Sequence, residues 1–162
     1  MKTKILFVCL GNICRSPAAE SIMKHQVKEA GRENDFFIDS AGLSDWHEGD
    51  LPDRRMYTHA RRRGYLLDSL SRPVKVADFE RFDMILGMDS SNIRMLQELA
   101  PDSSAQQKIG RITDFCQQIV AHQVPDPYYG GSAGFDQVLD ILEDACAGLL
   151  RELEKTRFRK LG

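Results

Sequence analysis

A chain of 162 residues with 42% hydrophobic and 28% charged residues is long enough for one substantial core, so we expect a single domain over 1–162 with no linker. A formal net charge of −2 excludes bulk attraction to nucleic acid or to an anionic membrane surface. The apolar runs are too short to cross a bilayer, which also excludes a membrane span.

The first element in chain order is Lys4 to Val8, whose apolar run is continuous rather than alternating and predicts a parallel strand buried on both faces. A tight loop, Cys9-Leu10-Gly11-Asn12-Ile13-Cys14-Arg15, follows and opens a helix. In that helix Ala18, Ala19, Ile22, Met23, Val27 and Ala30 recur at helical spacing, Gly31 marks the stop, and Ser16-Pro17 supplies an N-cap and a first helical residue. Phe36 to Asp39 reads as a second strand that ends in the small residues Ser40-Ala41-Gly42, with Trp46 and His47 in the loop beyond. A helix is predicted over 50–63, stopped by Gly64, with Arg61-Arg62-Arg63 as its solvated end. Phe82 to Met88 is a third strand reaching Asp89, after which Ser90 or Ser91 caps a helix that Pro101 closes. Lys108 to Ile112 is a short fourth strand, Val124 to Gly131 is rich in turn residues, and a long amphipathic helix runs from Phe135 through Leu153.

Strands alternating with helices predict an α/β fold: a four-stranded, mostly parallel twisted sheet with helices on both faces and a phosphate-binding loop after the first strand. Ligands in such folds bind at the carboxyl ends of strands, where Cys9, Ser40 and Asp89 all fall.

The chemistry concentrates in the first loop. A Cys and an Arg separated by five residues can wrap successive backbone N–H groups around one oxyanion, with sulfur at the floor. The helix N-terminus, the N–H dipoles and Arg15 favour a thiolate at Cys9, and they would equally grip a phosphoryl group, with Arg15 as a bidentate fork. Gly11 and Asn12 can take left-handed backbone, and Ser16 can donate to sulfur. Taken one at a time, Cys9 could be an ordinary buried cysteine, Gly11 a turn and Arg15 the partner of a surface carboxylate. The buried strand before them and the capped helix after them favour the phosphate loop.

A thiolate attacking a phosphate monoester needs a proton donor for the departing oxygen. Asp126 is the candidate, held between Pro125 and Pro127 and followed by the aromatic Tyr128-Tyr129. Read alone, the same segment is a rigid surface turn. The four His (His25, His47, His59, His122) are far apart and no C-x-x-C is present, so neither a metal nor a cofactor is expected. Four scattered cysteines and no secretory signal suggest a reducing, cytoplasmic setting.

CLGNICRSP after a strand, DSAG at 39–42, SDWH at 44–47, FDMILGMD at 82–89 and VPDPYYG at 124–130 resemble the low-molecular-weight protein tyrosine phosphatase family, in order and over nearly the whole chain. The resemblance implies that Cys9 is the nucleophile of a phosphocysteine intermediate, that Arg15 clamps phosphate, and that Asp126 is general acid and then general base. It further implies that Leu10, Gly11, Asn12, Ile13, Cys14 and Ser16 form the phosphate loop, that Ser40 supports it, and that Trp46, Tyr128 and Tyr129 flank the substrate ring. The partners implied are phosphotyrosine-containing proteins, with neither nucleic acid nor membrane, acted on by a monomer that dimerises weakly at most. Ser69 falls about where some members carry a His in the supporting network, a departure from the family pattern.

Three other readings compete. Arsenate reductases similar to this family relay oxidation through further cysteines near the third strand, where this chain has none. Protein-arginine phosphatases commonly carry Thr where Ile13 stands, so Ile13 favours phosphotyrosine. A non-catalytic phosphate-binding module would have no need of Asp126. Cys14 shares the loop with Cys9, and oxidation of Cys9 to a sulfenic acid that Cys14 captures would inactivate the loop reversibly; the alternative is that Cys14 only fills space.

Overall fold

The computed structural model describes residues 1–128 and 130–161, with residues 157–161 described by backbone alone. In chain order its elements are β1 (Thr3–Cys9), α1 (Arg15–Glu29), β2 (Phe36–Gly42), α2 (Arg54–Arg62), α3 (Asp78–Arg81), β3 (Met84–Gly87), α4 (Ser90–Leu99), α5 (Ser103–Gln106), β4 (Ile109–Arg111) and α6 (Ser132–Leu161). The four strands form one sheet in the order β2-β1-β3-β4, and every pairing is parallel.

The continuous apolar run of β1 follows from its central place. Ile5, Phe7 and Cys9 enter one core with Ala18 and Ile22 of α1, Met56 of α2 and Phe135 and Leu142 of α6. Leu6 and Val8 enter a second core with Phe79 of α3, Leu96 of α4 and Ala105 of α5. Both faces are covered, so neither set of alternating residues can be polar. Because β1 connects to β2 on one side and pairs with β3 on the other, strand order reverses at its carboxyl end and opens the crevice in which Cys9 stands.

The sheet, the two-sided helices and the loop after β1 match the expectation, and the departures lie at element ends. α1 starts at Arg15 with Cys14 as its boundary residue and no side-chain cap, because the hydroxyl of Ser16 is engaged by Cys9 and Asn12 instead. α2 starts at Arg54 rather than at 50, since the carboxylate of Asp53 accepts the N–H groups of Arg55 and Met56. Asp89, not Ser90 or Ser91, caps α4 by accepting the N–H of Asn92. The arginine run is not wholly solvated: Arg63 reaches Asp140 and Glu143 of α6 and ties α2 to it.

Gly148 marks the closest approach of α6 to the 3-10 turn Ile112–Phe115: a Cβ there would lie 1.8 Å from the carbonyl oxygen of Phe115. The neighbour is backbone and cannot swing away. Gly148→Ala is expected to lower the unfolding free energy in urea by about 3 kcal/mol, the upper range for overpacking.

Candidate active site

The loop between β1 and α1 is closed by one side chain. Asn12 is buried and takes left-handed backbone, φ 56°, while Gly11 stays out of that region. The Asn12 amide nitrogen donates to the Oγ of Ser16 at 2.7 Å and to the Oγ of Ser40 at 3.0 Å, and its Oδ1 accepts the N–H of Arg72 at 3.0 Å. Both amide hydrogens are thus committed. Ser16 accepts from Asn12, which leaves its own hydrogen for the Cys9 sulfur at 3.0 Å, where the Ser16 N–H also points from 3.4 Å. Ser40 turns its hydrogen the other way, to Oε1 of Glu20 at 2.6 Å, and Oε2 of Glu20 takes Lys24 at 2.6 Å.

Other segments hold the loop from outside. The hydroxyl of Ser71 donates to the carbonyl of Gly11 at 3.0 Å, and the N–H groups of Leu43 and Ser44 reach the carbonyls of Cys9 and Leu10. Gly42 at the end of β2 is required by this contact: a Cβ there would sit 3.0 Å from that of Asn12 and 3.1 Å from the Leu10 oxygen. Ile13 and Cys14 are buried against the core while also lining the cavity over Cys9, and Leu10 stays exposed at the rim. Burial pushes the Cys14 thiol up, and Asp53, Cys9 and Asp126 push it the same way.

Arg15 is 3% exposed. Its Nη1 donates to Asp89 at 2.7 Å and to the carbonyl of Val124 at 3.1 Å, and its Nη2 lies 3.6 Å from Oδ2 of Asp126. Burial opposes the guanidinium charge, but Cys9, Asp89 and Asp126 outweigh it and hold the pKa above the ordinary value. The Asp126 side chain is 42% exposed, and its Oδ1 accepts the N–H of Tyr128 at 3.0 Å.

Cys9, Arg15 and Asp126 line one cavity of about 190 Å³, with Trp46, His47 and Tyr128 at its walls. Trp46 is 79% exposed and stands clear of the surface. Tyr129 lies outside the described residues. The structure therefore brings the sulfur, the guanidinium and the carboxylate of the sequence reading into one pocket, sets Ser16 and Ser40 beneath it, and puts aromatic rings at its mouth.

Sequence reasoning did not assign Asp89, Glu20, Ser71 or Arg72. Asp89 was legible as an acid at a strand end beside the loop, and Glu20 as the residue one helical turn after Ser16. Ser71 and the backbone of Arg72 carry no signal of their own. It is they, two and three residues past Ser69, that meet the loop from this side.

Residues 4–159 match the family model of low molecular weight phosphotyrosine protein phosphatases. The chain belongs to that family. A phosphatase of this family from Schizosaccharomyces pombe is 40% identical over 151 residues, covering 93% of this chain and 96% of the relative. A protein tyrosine phosphatase of Entamoeba histolytica, solved with Hepes in its active site, superimposes with a TM-score of 0.94 at 48% identity, over 96% of this chain and 99% of that one. A Drosophila arginine phosphatase superimposes with a TM-score of 0.83 at 34% identity, over 94% of this chain and 98% of that one.

Asn12→Ala would leave Ser16, Ser40 and the Arg72 amide without their partner and put a Cβ-bearing residue with no polar side chain in left-handed backbone. The expected cost is about 3 kcal/mol in urea unfolding, with turnover of an aryl phosphate falling alongside.

Proposed function

We propose that this protein hydrolyses phosphotyrosine in proteins, and small aryl phosphates, through a phosphocysteine intermediate. The observation that carries the reading is the convergence of Cys9, Arg15 and Asp126 on one pocket at the N-terminus of α1. The phosphoryl group enters the ring of loop N–H groups with Arg15 as its fork. The Cys9 sulfur attacks phosphorus in line, the bond to the aryl oxygen breaks, and Asp126 gives that oxygen its proton. Water then attacks phosphorus, Asp126 takes the proton, the S–P bond breaks, and inorganic phosphate leaves. Asp89, which does not line the cavity, accepts from Nη1 of Arg15 at 2.7 Å and anchors the guanidinium.

Trp46 and Tyr128 supply flat apolar walls that suit an aromatic ring. Ile13 adds no polar group to the pocket, which favours phosphotyrosine over phosphoarginine. The four cysteines are free thiols, in keeping with a reducing cytoplasm. No helix among the described residues is long and apolar enough to cross a membrane.

Asp126→Asn is expected to lower turnover of phenyl phosphate about 10²-fold or more, the usual contribution of a general acid, and Cys9→Ser to abolish it. Unchanged turnover in Asp126→Asn would overturn the mechanism. A comparison among phosphotyrosine, phosphoserine, phosphoarginine and arsenate tests the substrate class, with activity expected on the aryl ester alone.

The redox reading stands as a proposal on the same loop. Peroxide oxidises the Cys9 sulfur to a sulfenic acid, and the thiol of Cys14 displaces water from it to form a disulfide that a dithiol reductant reopens. Peroxide-treated Cys14→Ser is expected to regain little activity on reduction; full recovery would show that Cys14 protects nothing.

A further inference from the structure

The proton donor and the nucleophile sit on different segments, and something must set the distance between them. Asp126 belongs to an exposed turn, whereas Cys9 is fixed at the floor of a buried loop. From the loop, Arg15 reaches the carbonyl of Val124 and the carboxylate of Asp126, and a second side chain, on α2, spans the two from the other side. Arg55, in the first turn of α2, pairs in fork geometry with Asp53, its Nε 3.2 Å from Oδ1 and its Nη2 3.1 Å from Oδ2. Asp53 in turn donates its backbone N–H to the carbonyl of Ile13 in the phosphate loop at 2.8 Å. On its other side, Nη2 of Arg55 donates to the carbonyl of Tyr128 at 2.9 Å, and the guanidinium lies over the rings of Tyr128 at 5.5 Å and Phe135 at 4.8 Å. Tyr128 is the residue whose N–H holds Oδ1 of Asp126. A continuous line therefore runs from the loop through Ile13, Asp53, Arg55 and Tyr128 to the acid.

We propose that Arg55 is a positioning residue that fixes the proton donor over the leaving oxygen, by clamping the Asp126 turn to the helix that also braces the phosphate loop. The proposal rests on the reading of Asp126 as general acid. A carboxyl must come within about 3 Å of the oxygen it protonates, and an error of about 1 Å in such a placement costs on the order of 10²-fold in rate. Arg55 suits the task because a planar fork can hold a carboxylate along one edge, a carbonyl along another and two rings on its face. Lysine offers a single ammonium and no plane.

The test exploits the leaving group. 2,4-Dinitrophenolate departs without a proton, whereas phenolate needs one, so a misplaced acid slows only the phenyl ester. In Arg55→Ala, kcat/KM for phenyl phosphate is expected to fall about tenfold or more, while kcat/KM for 2,4-dinitrophenyl phosphate stays within about twofold. Arg55→Lys is expected to behave like Arg55→Ala and serves as the reference if the alanine variant folds poorly. In an Asp126→Asn background, Arg55→Ala should cost nothing further on phenyl phosphate, because the acid it positions is gone. Equal losses on the two esters, or losses that multiply in the double variant, would overturn the clamp while leaving Asp126 as the proton donor. Indifference of Asp126→Asn itself to the leaving group would overturn both.

Discussion

The site depends on the side-chain amide of Asn12 spending both its hydrogens inside the protein. One goes to Ser16 and the other to Ser40, while the carbonyl end takes the amide of Arg72. An amide anchored at three points fixes the left-handed turn of the loop, and with it the directions in which the following N–H groups point. An unanchored loop would have to order itself around each incoming anion and pay that entropy at every turnover. Here folding has already done so, which is what preorganised electrostatic catalysis requires.

The sheet supplies the position of that amide. β1 delivers the loop at its carboxyl end, β2 delivers Ser40 and Gly42 alongside it, and the segment after Gly42 ties back to the carbonyls of Cys9 and Leu10. Parallel pairing matters because it brings the ends of β1, β2 and β3 to one edge, so that Cys9, Ser40 and Asp89 meet without any long excursion of the chain. Asp126 arrives from much later in the sequence on a turn with no strand of its own, held by the backbone bond from Val124 to the carbonyl of Met88 and by side-chain contacts from Arg15 and Arg55.

The division between what could and could not be read from the sequence follows the same physics. The strands of the central sheet announce themselves as apolar runs, because burial on both faces leaves no room for polar residues. Cys9, Arg15 and Asp126 are visible because their chemistry constrains the types and spacings of their neighbours. Residues that act through geometry are harder to see. Ser71 and the Arg72 amide reach the loop from a stretch without regular structure, and neither a hydroxyl nor a backbone N–H carries a pattern that points across about sixty residues of chain. Helix starts were misplaced for a related reason: Asp53 and Asp89 compete with nearby Ser or Asp residues for the capping position, and only the three-dimensional course of the chain decides which carboxylate faces the free N–H groups. Ser16 looked like a cap and is instead a donor to sulfur.

The line of contacts from Cys9 through Ser16, Asn12, Ser40 and Glu20 ends at the exposed ammonium of Lys24. It looks like a conduit from the active site to the outer face of α1, but its polarity forbids that. Asn12 donates toward both neighbours, so the direction of donation reverses at its nitrogen, and an amide nitrogen does not pass protons on. The line can orient the groups beneath the Cys9 sulfur without being able to carry its proton away. Whatever proton the Cys9 sulfur gains or loses must therefore travel through the mouth of the pocket, past Trp46 and Tyr128. A bound substrate that fills this opening isolates the sulfur from bulk water for as long as it stays.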